Sequence, residues 1–349
     1  MTVRPGCSGE PGHVMGTVTP VLVTGLPRTG TSWTGRMLAA GGELVYVNEP
    51  LNPEHPPGHS PGVLDAVVGH RFQYICPDNE RAWLPAFTRT VALRYGFLAE
   101  LRRNRSPYDL ARMVRYGTAF TLGRLGGRRA LLDDPFALFS AGWFADRLGC
   151  RVIVLLRDPV AFVGSWQRLG WTVYFHELLE QPLLMRDQPH LEALRPLVGS
   201  QDRVAKAVAL WRAAGTTAAD LAERHPGIML ARYEDLAREP LAGFRRLYEW
   251  AGLTWTARAE ARIRRACTDA SGTRASSTEA LSTGTGTGTS EGMSAGTGTS
   301  ERGVGGFAWS GLSRTAYRPM DSRRALAEAD ARLSPQEALR VRRLASAER

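Results

Sequence analysis

The residues best suited to chemistry lie near the N-terminus, in the segment 25–33 (GLPRTGTSW). Its two glycines allow the backbone to approach a ligand closely, and three hydroxyl side chains add hydrogen-bond donors. An apolar run, 21–24, precedes the segment, and a helical pattern through Leu38 follows it. In such a strand, loop and helix, backbone N–H groups and the positive end of the helix dipole converge on one point. The segment therefore predicts an anion-binding loop suited to phosphate.

The loop lacks one cation of the nucleotide-hydrolysing version, G-x-x-x-x-G-K-[ST]. Thr31 stands where that version has the lysine that reaches the β- and γ-phosphates. The cation of the present loop is Arg28, which follows a proline. The missing lysine makes a nucleotide-dependent kinase or hydrolase with an atypical loop the second choice. The first choice is an enzyme that binds phosphate for another reaction.

A second candidate anion site combines Arg157 with Ser165. Arg157 follows the apolar run 151–156, and Ser165 comes eight residues after it in a helical pattern. Asp158 suits the N-cap of that helix and Pro159 its first position, so the chain turns sharply and both side chains reach one phosphate. Two such sites in order, each at the carboxyl end of a strand, are more specific than either site alone.

These motifs resemble those of sulfotransferases that use 3′-phosphoadenosine 5′-phosphosulfate (PAPS). The segment 27–33 resembles their 5′-phosphosulfate loop, and Arg157 with Ser165 resembles their 3′-phosphate motif. Residues 131–136 resemble the Lys-Asp-Pro-Phe segment of the bacterial and tyrosylprotein-type members. The resemblance spans roughly residues 20–310, because 232–236 resembles the fifth-strand motif Arg-Tyr-Glu-Asp-Leu and 302–306 the glycine-rich loop over the 3′-phosphate.

The resemblance implies a PAPS-dependent sulfotransferase that needs no metal. It transfers a sulfuryl group in line to a hydroxyl of a small-molecule acceptor, whose identity the motifs do not specify. Trp33 is expected against the adenine, and Arg28 is expected to act on the transferring group. The implied binding residues on the 5′-phosphosulfate side are Arg28, Thr29, Gly30, Thr31, Ser32 and Trp33, and those on the 3′-phosphate side are Arg157, Ser165, Arg302 and Gly303.

One residue departs from the family pattern. Asp133 stands where the pattern has a lysine that helps to stabilise the transferring sulfonate. Either Arg28 or another arginine supplies that charge, or the chemistry is arranged differently. We therefore assign Asp133 no catalytic role from the sequence.

The acceptor hydroxyl needs a base, and Glu49 is the first candidate. It follows the predicted strand 43–47, and Glu-Pro at this point resembles the segment that carries the general base of carbohydrate and tyrosylprotein sulfotransferases. The competing interpretation is a residue that only ends a turn before Pro50. His55 and His59, in a proline-rich segment, are the rival bases.

Five short apolar runs separated by helical patterns must position these residues. Continuously apolar strands are covered on both faces, and strands joined through helices pair in parallel through right-handed crossovers. The pattern predicts a doubly wound α/β fold, related to P-loop nucleotide hydrolases, with a mainly five-stranded parallel sheet and helices on both faces. The five runs are 21–24, 43–47, 130–132, 151–156 and 227–231.

The predicted organisation is one domain over 19–349 after a flexible tail, 1–18. Residues 60–128, rich in arginine and aromatic side chains, are predicted to form a helical insertion between the second and third strands. Residues 271–303 are dominated by Ser, Thr and Gly and bury too little apolar surface to offset the entropy of ordering. They predict a mobile loop.

The charge and the distribution of basic residues bear on whether the protein binds nucleic acid. The chain has 349 residues and a formal net charge of +10. All but one of its basic residues are arginines scattered among alanine and glycine, so we expect no nucleic-acid partner, although an arginine-rich nucleic-acid-binding protein is the alternative of another class.

The spacing of the cysteines and the length of the apolar runs indicate the cellular compartment of the protein. Cys7, Cys76, Cys150 and Cys267 have no paired spacing, which predicts free thiols rather than disulfides or zinc. No run approaches the roughly 18 apolar residues of a membrane span, and residues 1–20 lack the apolar core of a signal peptide. We expect a cytoplasmic protein.

Overall fold

The structure is a computed structural model that describes residues 19–53, 60–268, 322, 326 and 332–346. Its centre is a five-stranded sheet in which every pairing is parallel and the order is β2-β3-β1-β4-β5. This confirms the predicted fold class. The strands are β1 (Val21–Gly25), β2 (Leu44–Asn48), β3 (Arg129–Asp133), β4 (Arg151–Leu156) and β5 (Ile228–Arg232).

Helices connect the strands and surround the sheet. Three short 3₁₀ helices, Ala39–Gly41, Pro135–Ser140 and Pro189–Leu197, complete the connections. The α-helices are α1 (Thr31–Leu38), α2 (Trp83–Val91), α3 (Phe97–Arg103), α4 (Pro107–Leu125), α5 (Ala141–Leu148), α6 (Pro159–Arg168), α7 (His176–Leu179), α8 (Pro182–Asp187), α9 (Arg203–Arg224), α10 (Tyr233–Arg238), α11 (Pro240–Trp250), α12 (Ala257–Thr268) and α13 (Pro335–Ser346).

Burial on both faces explains why the strands read as uninterrupted apolar runs. All five residues of β1 are buried. Leu22 packs into a core shared with α2, α5 and α9, whereas Val21 and Val23 pack on the other face against α1, α11 and α12. Successive strand side chains point to opposite faces, so a strand with two cores needs apolar residues at every position.

The parallel register brings the strand ends to one edge of the sheet. Val23 pairs with Asp133, and Asn48 pairs with Asp133 from the other side. Gly25 pairs with Leu155, near the end of β4. The loop after β1, the carboxylates after β2 and β3 and Arg157 after β4 therefore share the edge at which ligands bind in doubly wound folds.

Several predicted features fall outside the described residues. They are the tail 1–18, the segment 271–303, the histidines His55 and His59, the glycine-rich pair Arg302 and Gly303, and Cys7. Cys76, Cys150 and Cys267 are buried free thiols. Within the described ranges, no helix has both the length and the apolar composition needed to cross a membrane.

Asp134 fastens the chain after β2 to the chain after β3. Its side chain is buried and accepts hydrogen bonds from the backbone N–H of Leu51, at 2.6 Å, and of Phe136, at 2.9 Å. Its own N–H donates to the Val23 carbonyl at 3.0 Å. One carboxylate thereby holds the segments that carry Glu49 and Asp133 in a fixed relation.

We predict that Asp134→Ala lowers the free energy of unfolding by about 2–4 kcal/mol, because two buried N–H groups lose their acceptor. Urea denaturation measures the loss. Asp134→Asn keeps one acceptor oxygen and should lose about half as much, and Asp65→Ala, at an exposed ion pair, should change little. An Asp134→Ala protein as stable as wild type would contradict this.

Candidate functional site

The loop after β1 takes a conformation that requires glycine at its end. Thr29 closes a turn by donating from its N–H, at 3.0 Å, and from its hydroxyl, at 2.7 Å, to the Leu26 carbonyl. Gly30 has φ 101°, and a Cβ there would lie 2.5 Å from the ring of Tyr233. Both the backbone conformation and the close approach therefore exclude a side chain at this position.

The N-terminus of α1 is open to an anion. Gly30 is its N-cap residue, no side chain caps the helix, and its first turn contains no acidic residue. The amides of a helix's first turn have no partner within the helix and carry partial positive charge. The eight-residue helix thus begins with the donors that a phosphate or sulfate requires.

Arginines from three parts of the chain converge beside this loop. The Arg28 Nε donates to the hydroxyl of Ser165 at 3.3 Å, and Arg157 donates to the Arg28 carbonyl at 2.5 Å. Desolvation and the charges of Arg157, Arg168 and Arg332 lower the pKa of Arg28. The two predicted anion sites are therefore contiguous, and their cations repel one another.

This cluster contains no compensating carboxylate at Arg28 or Arg157. Neither forms an ion pair with any described residue, and the buried Nε of Arg157 has no hydrogen-bond partner among them. The guanidinium of Arg157 lies over the Tyr233 ring, 4.6 Å from its centroid. Unpaired cations at a partly buried site favour an anionic ligand.

Helix α6 begins directly after Arg157 with the cap that the sequence predicts. Asp158 caps the helix by accepting from the N–H groups of Val160, at 2.8 Å, and Ala161, at 3.1 Å. Trp211 donates to the Arg157 carbonyl at 2.8 Å. Ser165 is fully buried, so its hydroxyl acts where Arg28 meets it rather than at the open surface.

Trp33 is a residue of α1 and packs against two aromatic rings. Its ring meets Tyr233 edge-on, with centroids 5.5 Å apart, and Phe244 with centroids 5.1 Å apart. These contacts fix the side chain that the resemblance assigns to the adenine. Tyr233, which also contacts Gly30 and Arg157, is a central residue that the sequence motif alone did not single out.

A group of carboxyls lies on the other side of the loop. Glu49 has a positive φ of 42°, donates its N–H to the Asp133 carbonyl at 2.7 Å, and accepts from the Asn52 amide at 2.7 Å. Burial raises the pKa of Glu49, and the Asn52 hydrogen bond lowers it. A strained backbone and a carboxyl with a raised pKa are both typical of functional sites.

Asp133 is fully buried under the loop and is held by Tyr46. The Tyr46 hydroxyl donates to one carboxylate oxygen, and the other oxygen has no hydrogen-bond partner in the described part of the chain. Burial and the charge of Glu49 raise the pKa of Asp133 to about 6, against the lowering effect of Tyr46, Ser32 and Thr31. The position where the family pattern has a lysine is therefore occupied by a buried carboxyl with a raised pKa.

A groove of about 290 Å³ runs along β2, the edge strand. It extends from Leu44 to Asn48, the residue before Glu49, and lies between α1 and α4. Tyr46 forms part of its wall, so the wall connects directly to Asp133. The polar lining consists of Arg36, Tyr46, Asn48, Arg115, Tyr116 and Arg128 and contains no acid.

Comparisons with known proteins identify the family of the chain. Residues 20–257 match the model of the sulfotransferase family. The chain belongs to that family, which confirms the resemblance drawn from the motifs. It is 34% identical over 152 residues to human carbohydrate sulfotransferase 5, a match that covers 38% of this chain and 28% of the human protein.

Solved structures give weaker likenesses. The sulfotransferase domain from the curacin biosynthetic pathway is 13% identical, with 70% of this chain and 77% of that chain covered and a TM-score of 0.36. Sulfotransferase STF9 from Mycobacterium avium is 19% identical, with 70% and 66% covered and the same TM-score of 0.36.

The burial of Asp133 predicts a dependence of stability on pH. The pKa of about 6 in the folded chain exceeds the ordinary value of 3.8, so the protonated form favours folding. That contribution is complete below pH 3.8 and is lost as pH rises through 6. The loss amounts to about 3 kcal/mol by neutral pH, because one pKa unit corresponds to about 1.4 kcal/mol.

We therefore expect Asp133→Asn, which cannot ionise, to gain about 3 kcal/mol of unfolding free energy relative to wild type between pH 4 and pH 7.5. Denaturant titrations of both proteins across this range measure the gain. Asp65→Asn, at an exposed position, serves as the control and should show no such trend. A pH-independent difference between Asp133→Asn and wild type would show that the carboxyl is not held in this way.

Proposed function

We propose that the chain transfers a sulfuryl group from PAPS to a hydroxyl of a small-molecule acceptor. The observation that supports this most directly is the junction of the two anion sites, where Arg28 contacts Ser165 and Arg157 contacts the Arg28 carbonyl. PAPS carries its phosphosulfate on the 5′-oxygen and a second phosphate on the 3′-oxygen of the same ribose, so its two anionic groups lie close together. Two contiguous cationic sites without a paired acid suit such a ligand.

The residues present fit this donor. The buried Nε of Arg157, which has no hydrogen-bond partner among the described residues, would donate to an oxygen of the 3′-phosphate. The backbone N–H groups at the uncapped start of α1 would donate to the phosphosulfate. When bound, PAPS supplies the sulfuryl group and a phosphate leaving group. Thr29, Gly30, Thr31 and Ser32 would hold the 5′ side, with Trp33 against the adenine. Arg302 and Gly303 remain predicted 3′-phosphate ligands.

The chain's own groups would assist transfer in three ways. Arg28 and the α1 amides orient the phosphosulfate end and offset negative charge that grows on the leaving oxygen. Arg157 anchors the 3′-phosphate and so aligns the donor for in-line attack. Glu49 takes the proton of the acceptor hydroxyl on its carboxylate as the oxygen attacks, and its raised pKa makes it a stronger proton acceptor.

We propose further that the acceptor lies in the groove along β2. The groove reaches Asn48, directly before Glu49, and has tyrosine, asparagine and arginine side chains that can bind hydroxyl groups. The name of the human relative makes a sugar hydroxyl the first acceptor to test. Because the match covers 28% of that protein, its substrate is a starting point only.

The donor assignment predicts selectivity for a 3′-phosphate. In calorimetric titration, 3′,5′-adenosine bisphosphate should bind clearly more tightly than AMP. Arg157→Ala should lower the affinity for the bisphosphate roughly 10-fold to 150-fold, since a charge-assisted contact contributes about 1.5–3 kcal/mol. Arg89→Ala, at an exposed ion pair, removes an arginine elsewhere and should bind normally.

Two outcomes would contradict the donor assignment. If folded Arg157→Ala keeps wild-type affinity, Arg157 does not hold the 3′-phosphate. If the wild type prefers ATP with Mg²⁺ over the bisphosphate, the chain acts on nucleotides as a kinase or hydrolase does.

The base assignment predicts a defect in turnover alone. Glu49→Gln is nearly isosteric and should leave PAPS affinity almost unchanged while turnover falls about 10²-fold to 10⁴-fold. Glu43→Gln, at the opposite end of β2, is the matched control. Steady-state kinetics combined with donor titration separates the two effects.

Each other result reassigns Glu49. Near wild-type turnover in Glu49→Gln would transfer the base role to His55, His59 or Asp133. A loss of PAPS affinity instead would mean that the Glu49 side chain organises the loop, which the hydrogen bond from the Asn52 amide to its carboxyl also permits.

A further inference from the structure

Helix α4 exposes apolar side chains on the face that points away from the core. Its buried residues are Gly117, Phe120 and Gly123. At 100° per residue, Leu110, Val114, Leu122 and Leu125 fall within an arc of about 120° on the other side, and they are 50%, 56%, 58% and 76% exposed. A helix packed on one face usually presents polar residues on the opposite one, so this face lacks a partner.

Helix α3 packs beside α4 and also exposes apolar side chains. A Cβ at Gly117 would lie 2.5 Å from the Phe97 ring, so the two helices are in close contact there. Eight of the twelve large hydrophobic residues exposed in the described part of the chain lie between residues 97 and 125. We call them the α3–α4 face; they are Phe97, Leu98, Leu101, Tyr108, Leu110, Val114, Leu122 and Leu125.

The exposed charged residues of the segment 97–128, which carries the α3–α4 face, are all arginines. The segment 97–128 contains two acidic residues, Glu100 and Asp109, and both pair with Arg112 at 3.0 Å. Glu100 is fully buried, and the side chain of Asp109 is 15% exposed. The exposed arginines of the same segment are Arg102, Arg103, Arg105, Arg115, Arg124 and Arg128.

The apolar stripe and the exposed arginines together indicate which kind of partner the α3–α4 face binds. A second copy across a twofold axis would face arginines with arginines, which disfavours self-association. A convex helical face bordered by arginines is typical of segments that lie in the plane of a membrane interface. There the apolar side chains enter the acyl boundary, and the arginines extend to anionic headgroups.

We propose that the α3–α4 face docks on an anionic lipid surface. Helix α4 would lie parallel to the membrane plane, with its opposite side still packed on the core. The docking is peripheral, since α4 carries charged residues along its length and no described helix meets the requirements of a span. The proposal uses none of the residues assigned to donor binding or to the base. Arg115, Leu122 and Arg128 also line the groove proposed for the acceptor, and the substitutions used in the test leave these three residues unchanged.

Vesicle co-sedimentation with the full chain tests the proposal. The wild type should bind vesicles of phosphatidylcholine mixed with phosphatidylglycerol at least about 10-fold better than vesicles of phosphatidylcholine alone, and added salt should reduce that binding. Val114→Glu/Leu125→Glu should lose at least about 10-fold, because both substitutions put charge into the apolar stripe. Arg102→Gln/Arg103→Gln/Arg105→Gln should lose the preference for the anionic vesicles.

Leu339→Glu is the matched control, since Leu339 is 59% exposed on α13, and it should bind as wild type does. Thermal unfolding verifies that each variant is folded; all changed side chains are exposed, so the midpoints should agree. Two results would overturn the proposal: equal binding by Val114→Glu/Leu125→Glu and wild type, or a dimer in light scattering that this double substitution dissociates, which would make the face a self-association surface.

Discussion

The parallel pairing of β1 between β3 and β4 is the constraint on which the rest of the structure depends. It brings the glycine-rich loop, the carboxyl of Asp133 and the guanidinium of Arg157 to one edge of the sheet. Each belongs to a different part of the chain, and no local interaction relates them. Burial of both sheet faces makes the register costly to change, since a slip would move whole sets of apolar side chains out of their cores.

The site built at this edge separates its charges. Arginines gather on the β4 side of the loop, where like charges and desolvation lower the pKa of Arg28. Carboxyls gather on the β2 and β3 side, where burial raises the pKa values of Glu49 and Asp133. Both arrangements cost free energy in the absence of ligand, as is common where a site is organised for a function. An anion on one side and a hydroxyl proton on the other would relieve these costs.

The segment between β2 and β3 forms the part of the molecule next to the site that lies outside the sheet. Its helix α4 packs against β2, lines the groove that reaches Asn48, the residue before Glu49, and carries the apolar face on its outer side. One helix therefore carries both a wall of the groove and the exposed apolar stripe.

The sequence by itself determined the features that depend on neighbouring residues. The glycine-rich loop after β1, the Asp158 cap, the five strands and the family follow from residue types at fixed short spacing, because turns, caps and apolar runs are local. Tertiary structure alone decided the contacts between distant segments. Asp133 is visible in the sequence as a departure from the family pattern, but its burial and its bond to Tyr46 depend on the β2–β3 register. The roles of Tyr233 and of the exposed face of α4 likewise arise from packing, since the same apolar spacing describes a buried stripe and an exposed one.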